Sequence, residues 1–491
     1  MTFDLRAIIV FGLAGLLYAG LLPKKWRAWT LLAASVVGIY WLQPPLPIRF
    51  SDYLLPTATI ALTLVAWWFT RLPGHPEQES SLGQDRLTLA VVIAIVIGLS
   101  FFRFVDADYR ITASRPPSPL IVAIILLVLG LISFVTIHST RGQVKRRQRH
   151  ILTVLILLIV GLFVIFKTES LSTWASLWWR TLTGQDTALA SPIDLAWLGF
   201  SFVAFRLIHT LRDRQSGILP ILSLREYLTY VIFFASYTAG PIDRAERFCV
   251  DFRTVPEIQG LDPARLGQGA WRIALGLLKK FIIADTLAQG MSLTAANAVQ
   301  ADSTPYLWFL LYGYALRLYF DFAGYTDIAI GIGLLYGIRL PENFDRPYLK
   351  SNITEFWQSW HITLSTWVRF YVFSPLSRWL LTRKWRPSST AIVLVAQLTT
   401  MAVIGLWHGI TWNFFIWGLW HGLGLFVHKQ WSDRTRKWYR QLGQYPWRKR
   451  AWTVFAWFLT FNFVVLGWVW FALPTVQLSI EVFLGLFGIG S

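Results

Sequence analysis

Long apolar runs separated by short polar segments dominate the pattern along this chain. A helix needs about 20 apolar residues to cross the hydrocarbon core of a bilayer, and these runs have that length without the alternation typical of strands. The pattern predicts ten spans: residues 6–22, 28–43, 53–70, 87–102, 118–137, 150–166, 193–211, 391–408, 411–428 and 453–473. We therefore expect an all-α polytopic membrane protein.

The apolar pattern is interrupted between residues 228 and 340 by glycine, proline and charge. The interruptions include Thr238-Ala-Gly-Pro241, Lys279, Lys280, Asp321 and Asp327. Broken helices are tolerated at membrane depth only where protein or a water-filled cavity covers their polar backbone. This region is expected to contain re-entrant segments and to form the inner wall of a site.

One further segment, Asn352 to Tyr371, is predicted as a helix lying in or near the membrane interface. Asn352 and Glu355 have the spacing of a capping box. At helical spacing one face is then apolar and contains Trp357, Trp360, His361, Leu364 and Val368.

The composition supports a membrane protein and suggests its orientation. Of the 491 residues 55% are hydrophobic and 27 are tryptophan, and the formal net charge is +19. The positive charge lies in short runs between apolar segments, which membrane orientation explains better than nucleic-acid binding. Placing every basic run on the cytoplasmic side leaves both termini outside and requires an even number of crossings, roughly a dozen. The runs are 24–27, 141–149, 206–225, 378–386 and 429–450.

Histidines in apolar surroundings are the candidate chemistry. His408, within Trp407-His408-Gly409, lies in one of the most apolar parts of the chain, and an ionisable ring at membrane depth is a functional-site hypothesis by default. His361 is a second isolated histidine on the apolar face described above. The tripeptide recurs around His421, where packing explains the ring adequately.

A metal site is not expected. The spacing of His408, His421 and His428 does not match a zinc helix, and no acidic residue occurs from Ala391 to Gln430. Acid–base chemistry is the better use of an imidazole whose pKa lies near neutral. The single cysteine, Cys249, excludes an intrachain disulfide and has no evident activating base.

Several motifs in order resemble the membrane-bound O-acyltransferase family, in its bacterial branch containing the alginate O-acetyltransferase membrane subunit and the D-alanyl transfer protein of teichoic acid modification. The motifs extend from residue 22 to 412, and most lie between about 150 and 430. They are Leu22-Pro-Lys-Lys-Trp-Arg27, Ala239-Gly-Pro-Ile-Asp-Arg244, Asp321-Phe-Ala-Gly-Tyr-Thr-Asp-Ile-Ala-Ile-Gly331, Pro341-Glu-Asn-Phe344, Asn352-Ile-Thr-Glu-Phe-Trp357, Trp360-His-Ile-Thr-Leu-Ser-Thr-Trp367 and Leu406-Trp-His-Gly409 with Trp412.

The resemblance implies helices around a central funnel or tunnel, with His408 as the catalytic base and His361 as a second catalytic or supporting residue. The donor would be a cytoplasmic acyl thioester, on coenzyme A or an acyl carrier protein, and no cofactor would be bound. The acceptor would be a hydroxyl of an extracytoplasmic glycan or polyol phosphate, reached with or without an extracytoplasmic partner protein. The candidate substrate-binding residues are Trp360, Trp407, Trp412, Asn413, Asp321, Asp327, Asp243, Arg244 and Asn343.

On this basis residues 141–430 form the catalytic core of a multi-pass protein of the bacterial cytoplasmic membrane. Residues 1–140 form N-terminal helices that partly add to the family core, and residues 431–491 form a basic cytoplasmic loop and the last span. The family's usual Arg-Asp-Tyr is replaced by Arg369-Phe-Tyr371, which removes one carboxylate. An alternative function is a transporter or flippase, in which Asp321 and Asp327 would bind ions or substrate.

Overall fold

The expected all-helical architecture is confirmed by a computed structural model of the chain. The structure describes residues 5–72, 74–258, 260–385 and 387–489, excluding the side chains of residues 133–134 and 136–147. Helices account for 78% of the structure, and the described residues form no β-strand. The chain divides into two compact units, Met1–Ile273 with Ala329–Leu340, and Ala274–Ile328 with Pro341–Ser491.

The first unit is built mainly from the N-terminal half of the chain. Its helices are α1 (Leu5–Leu21), α2 (Lys24–Trp41), α3 (Ser51–Thr70), α4 (Pro76–Ser80), α5 (Leu82–Ser100), α6 (Pro119–Lys167), α7 (Glu169–Thr183), α8 (Phe200–Gln215), α9 (Leu224–Ile232), α10 (Ala245–Thr254) and α11 (Pro263–Leu277), the last of which continues into the second unit.

The second unit contains the C-terminal helices. They are α12 (Asp285–Ala288), α13 (Ala295–Gln300), α14 (Thr304–Leu335), α15 (Ile353–Ser359), α16 (Ile362–Val368), α17 (Ser374–Leu381), α18 (Ser389–His408), α19 (Trp412–Leu442), α20 (Pro446–Ala472) and α21 (Val476–Gly485). Residues Leu278–Ala284 and Arg369–Phe373 are π-helical. The last turns of α14 belong to the first unit.

Six helical segments of the described residues are long and apolar enough to cross a membrane. They are Ser51–Thr70, Leu82–Phe104, Gln148–Lys167, Thr304–Leu335, Ser389–His408 and Pro446–Ala472. Shorter apolar helices are Leu5–Leu21, Pro119–Ile132 and Val476–Gly485. A multi-pass membrane protein is confirmed, while the orientation and the count of about a dozen crossings stay predictions.

The predicted spans 118–137 and 150–166 are not separate helices. One continuous helix, α6, runs from Pro119 to Lys167 and includes the basic run that we expected to be a loop. Most of that run consists of lysine, arginine, glutamine and valine, and the long polar side chains among them favour a helix as strongly as apolar ones do. Polarity alone therefore does not end a helix. The side chains of residues 141–147 in this run lie outside the described residues.

Three other predictions of local structure were wrong in detail. The predicted span 193–211 is a 3₁₀ turn, Pro192–Leu195, followed by α8, which begins after Gly199 with its positive φ of 73°. Asp321 and Asp327 lie inside the unbroken helix α14, although the chain from 228 to 303 is interrupted as expected. Residues 431–442 continue α19, so the loop predicted after residue 430 is only the short turn between α19 and α20.

Helices α18 and α19 form a tight hairpin that fixes the position of His408. A Cβ atom added to Gly405 would lie 2.1 Å from the carbonyl oxygen of Phe414, and one added to Gly418 would lie 2.5 Å from that of Met401. Only glycine permits so close a backbone approach. The side chain of Thr411 accepts a hydrogen bond from the Phe414 amide and starts α19 directly after the reversal.

Candidate active site

The segment that positions His361 is two short helices, not the single helix that its periodicity predicts. Asn352 caps α15 as expected, since its Oδ1 accepts a hydrogen bond of 2.9 Å from the Glu355 amide. The helix then ends at Ser359, and α16 begins at Ile362. His361 itself has φ 43° and ψ 55°, in the left-handed region that residues with a Cβ rarely adopt.

The break is imposed by residues 343–345, which lie beside it. The Asn343 carbonyl accepts from the Ile362 amide at 3.0 Å, and its side-chain Oδ1 accepts from the Thr363 hydroxyl at 2.6 Å. Phe344 pairs with Trp360 in an isolated antiparallel bridge. The Asn343 Oδ1 also accepts from the Thr363 amide at 3.3 Å, so Asn343 satisfies the first two amides of α16. All five residues of the predicted apolar face are nevertheless buried: Trp357, Trp360, His361, Leu364 and Val368.

His408 is the last residue of α18, and aromatic rings surround its imidazole. Its ring centroid lies 4.6 Å from that of Trp407, 4.7 Å from Phe471 and 5.6 Å from Trp417. The indole of Trp407 also lies 5.9 Å from the ring of His361. One tryptophan therefore contacts both histidines.

Both histidines line one small cavity of about 40 Å³ inside the second unit. The other lining residues are apolar or aromatic: Leu318, Phe322, Trp357, Trp360, Leu364, Ile404, Trp417, Trp468 and Phe471. A mostly apolar cavity with a few convergent polar groups is the usual form of a small-molecule site. The structure thus brings together two imidazoles that are 47 residues apart in the sequence, along with the predicted site residue Trp360.

His361 is buried without a hydrogen-bond partner for either ring nitrogen among the described residues, and its exposed fraction is 2%. Burial lowers the pKa of this imidazole to about 3, because the charged form would lose its hydration. The ring is therefore neutral at physiological pH. Leaving such a polar group unpaired costs about 1–3 kcal/mol, which marks it as a candidate functional group.

Two indoles of the cavity wall also have a buried polar atom without a hydrogen-bond partner. The Nε1 atoms of Trp357 and Trp417 are buried and have no acceptor among the described residues. An indole N–H can only donate. Each of these two lining residues therefore has a buried donor that no described residue satisfies.

The predicted site residues Trp412 and Asn413 do not line this cavity. Trp412 is 72% exposed, as the first residue of α19. The side-chain Nδ2 of Asn413 donates to the Leu473 carbonyl at 2.8 Å and to the Ser479 hydroxyl at 2.9 Å, so this side chain connects α19 to the segment after α20 and to α21. Both residues were predicted to bind substrate, and the structure places neither of them at the cavity.

The acidic candidates on α14 are engaged in ion pairs. Asp327 accepts from Lys279 at 2.6 Å, and Asp321 lies 2.8 Å from Lys280. Neither carboxylate lines the cavity. The structure therefore places both in contacts between α14 and the π-helical turn, and Asn343 acts through its bonds to α16.

Asp243 and Arg244 belong to the first unit, in a network of buried charges. Asp243 binds Arg247, while Arg244 donates to Asp213 at 3.1 Å. Asp213 also contacts His209, whose Nε2 accepts from the Ala245 amide. His209, Asp213 and Glu246 lie close enough to suggest a metal. The histidine nitrogens and Asp213 already have partners, however, so the network stabilises the turn before α10.

Sequence reasoning missed most of the aromatic wall. Trp417, Trp468 and Phe471 lie in apolar helices where periodicity cannot separate a cavity wall from packing. His421, in the second Trp-His-Gly tripeptide, is fully buried and packs 5.3 Å from Trp357 and 5.0 Å from Trp417. It lies behind two lining indoles and does not itself line the cavity.

Comparison with known proteins identifies the family. Residues 147–469 match the model of the membrane-bound O-acyltransferase family. A peptidoglycan O-acetyltransferase of Helicobacter pylori is 31% identical over 422 residues, which cover 80% of this chain and 73% of that protein. A teichoic acid D-alanyltransferase of Streptococcus thermophilus is 34% identical over 287 residues, covering 57% of this chain and 68% of that protein.

The third kind of relative is a probable alginate O-acetylase of Pseudomonas syringae, 34% identical over 294 residues, which cover 60% of this chain and 52% of that protein. The matched segment of the family model contains both histidines of the cavity and every other lining residue except Phe471, which lies two residues beyond it. The chain is therefore an O-acyltransferase that belongs to the membrane-bound O-acyltransferase family.

Proposed function

We propose that the protein transfers a small acyl group from a cytoplasmic thioester to a hydroxyl of an extracytoplasmic envelope polysaccharide or teichoic acid-like polymer. His408 is the general base, and His361 orients the acceptor or supports His408. The observation behind this proposal is the cavity that both imidazoles line.

The chemistry asks little of the protein, because a thioester is already activated. A ring nitrogen of His408 removes the proton from the acceptor hydroxyl as its oxygen attacks the thioester carbonyl carbon. The tetrahedral intermediate then expels the thiolate, which takes up the proton from the imidazolium. The products are an oxygen ester and a free thiol, so atoms and charge balance.

The apolar wall supports this mechanism in two ways. It excludes bulk water, which would otherwise hydrolyse the thioester. It also strengthens hydrogen bonds to the developing oxyanion, because the local dielectric constant is low. The indole N–H groups of Trp357 and Trp417 are the candidate donors, since both residues line the cavity and neither N–H has an acceptor among the described residues.

The structure gives no support to the transporter alternative, which was suggested by two acidic residues in the interrupted region. Asp321 and Asp327 were its candidate ion ligands, and both are paired with lysines. Acyl transfer uses the two histidines that a transporter would leave unexplained.

The test is transfer by the full-length protein in vesicles. Radiolabelled acyl thioesters, on coenzyme A and on a phosphopantetheinylated carrier protein, are supplied with peptidoglycan strands, alginate oligosaccharides or a glycerol-phosphate polymer. We expect base-labile label on one acceptor. The variant His408→Gln should insert at normal abundance and transfer at least 100-fold more slowly, as removal of a positioned base does. The matched variant His428→Gln, whose ring instead contacts Thr354 and does not line the cavity, should retain activity. Normal turnover by the His408 variant would disprove the proposed base.

A further inference from the structure

Among the described residues, the side chains that line the cavity include no acceptor or counter-ion for a cation apart from the two imidazoles. None of its eleven lining residues is acidic. The carboxylates on α14, the helix that supplies Leu318 and Phe322, are those of Asp321 and Asp327, and each already binds a lysine. A positively charged group entering the cavity would lose its hydration and find no counter-ion.

The unpaired polar atoms of the wall point to the same conclusion. Trp357 and Trp417 have indole N–H donors without an acceptor among the described residues. A donor complements the lone pairs of a carbonyl oxygen but repels the N–H groups of an ammonium. Aromatic faces attract cations. That attraction does not replace the hydrogen bonds that the three N–H groups of a primary ammonium make in water.

These features separate the two acyl groups that the relatives' names mention. An acetyl group is uncharged, whereas a D-alanyl group has an ammonium on the carbon next to its carbonyl. That ammonium would enter the cavity with the reacting carbonyl.

Resting on the proposed function, we infer that the cavity selects a short uncharged acyl group, acetyl, and excludes D-alanyl by the charge of its ammonium. Charge, and not size, is the basis of the selection. The peptidoglycan and alginate relatives are therefore the better guide to the acyl group than the teichoic acid relatives.

The experiment compares acyl groups that differ in charge but not in size. Isobutyryl has a methyl group where D-alanyl has its ammonium, so the two contain the same number of non-hydrogen atoms. Acetyl, isobutyryl and D-alanyl are each supplied on coenzyme A and on a carrier protein to the full-length protein in vesicles at pH 6.5. We expect acetyl to be transferred fastest and isobutyryl to be transferred at least tenfold faster than D-alanyl.

Raising the pH provides a second measurement on the unmodified protein. An α-amino group has a pKa of about 8, so its uncharged fraction rises roughly thirtyfold between pH 6.5 and 9. The rate for D-alanyl relative to isobutyryl should rise with that fraction, and the ratio cancels effects of pH on the enzyme itself.

The outcomes are distinguishable. Transfer of D-alanyl at or above the rate of isobutyryl at pH 6.5 would overturn the inference and leave the acyltransferase function intact. Equally slow transfer of both branched groups beside rapid acetyl transfer would also overturn it, because size would then be the filter. Failure to transfer any of the three groups would instead refute the proposed function.

Discussion

The left-handed backbone of His361 allows the structural role of this residue to be tested separately from its chemical role. Replacing His361 with glycine or with alanine removes the same imidazole, so both variants lose the same ring contacts with Phe322 and Trp407. The two variants differ in the cost of holding residue 361 at φ 43° and in the conformational freedom of the unfolded chain.

The magnitude follows from two opposing terms. The left-handed conformation destabilises the folded state by about 1–2 kcal/mol for a residue with a Cβ atom, and has no such cost for glycine. Against this, glycine lowers the stability by about 0.4–1 kcal/mol relative to alanine, because the unfolded chain has more conformational freedom to lose on folding. We therefore expect His361→Gly to be more stable than His361→Ala by about 0.5–1 kcal/mol.

The assay is reversible unfolding of the purified protein by SDS in mixed micelles, followed by tryptophan fluorescence. Thr366, which is exposed and lies within the right-handed helix α16, provides the matched control. There the order should reverse, with Thr366→Ala more stable than Thr366→Gly by about 1 kcal/mol. Greater stability of His361→Ala than of His361→Gly would show that residues 343–345 do not impose the observed backbone conformation.

The same pair of variants tests the role of the ring. If His361 participates in the reaction, acyl transfer should be slow in both variants although the glycine variant folds well. Added imidazole should restore part of the rate in His361→Gly, where the ring leaves a space of its own size. Full activity of His361→Gly without imidazole would reduce His361 to a packing residue.

Three further predictions concern charge. The variant Asp327→Asn should lower the free energy of unfolding by about 2–4 kcal/mol, because it leaves Lys279 unpaired. Exchanging the two residues, Lys279→Asp with Asp327→Lys, should restore abundance and transfer. An exchanged protein that is stable but inactive would indicate a chemical role for Asp327. The buried, neutral His361 should make unfolding pH-dependent, since its pKa is about 3 when folded and about 6.5 when unfolded. Its contribution to stability is complete well above pH 6.5 and is lost as the pH falls toward 3, so the wild type should lose about 1.6 kcal/mol more than His361→Asn between pH 6.5 and 5. Equal losses would contradict the assigned burial. Reversing the exposed Arg378 and Lys384 to glutamate should raise the KM for the thioester donor several-fold and weaken its salt dependence; unchanged donor kinetics would mean that these charges only orient the protein. Arg386, in the same basic run, lies outside the described residues.

The sequence by itself determined the class of the protein and its principal candidate residues. Apolar runs near 20 residues long can only be membrane helices in so hydrophobic a chain. The helix starts were also readable where a local cap encodes them, as at Asn352. His408 and His361 stood out because an ionisable ring in an apolar run has a cost that demands a reason.

Tertiary structure decided what periodicity cannot express. The apolar spacing from Trp357 to Val368 is intact in the sequence. The helix is nevertheless broken at His361, whose backbone is left-handed, because Asn343, 18 residues earlier, accepts hydrogen bonds from Ile362 and Thr363. Those bonds are non-local, so no window of sequence contains them.

The same reason explains the assignments that changed. Asn413 and Trp412 are adjacent to the histidine motif in sequence, yet one is consumed by bonds to Leu473 and Ser479 and the other faces outward. Trp417 and Trp468 lie farther along the chain, yet they line the cavity. The sequence around a candidate catalytic residue identifies the helix that carries it. The residues that surround its side chain come from other helices, because packing brings together segments that are distant in the chain.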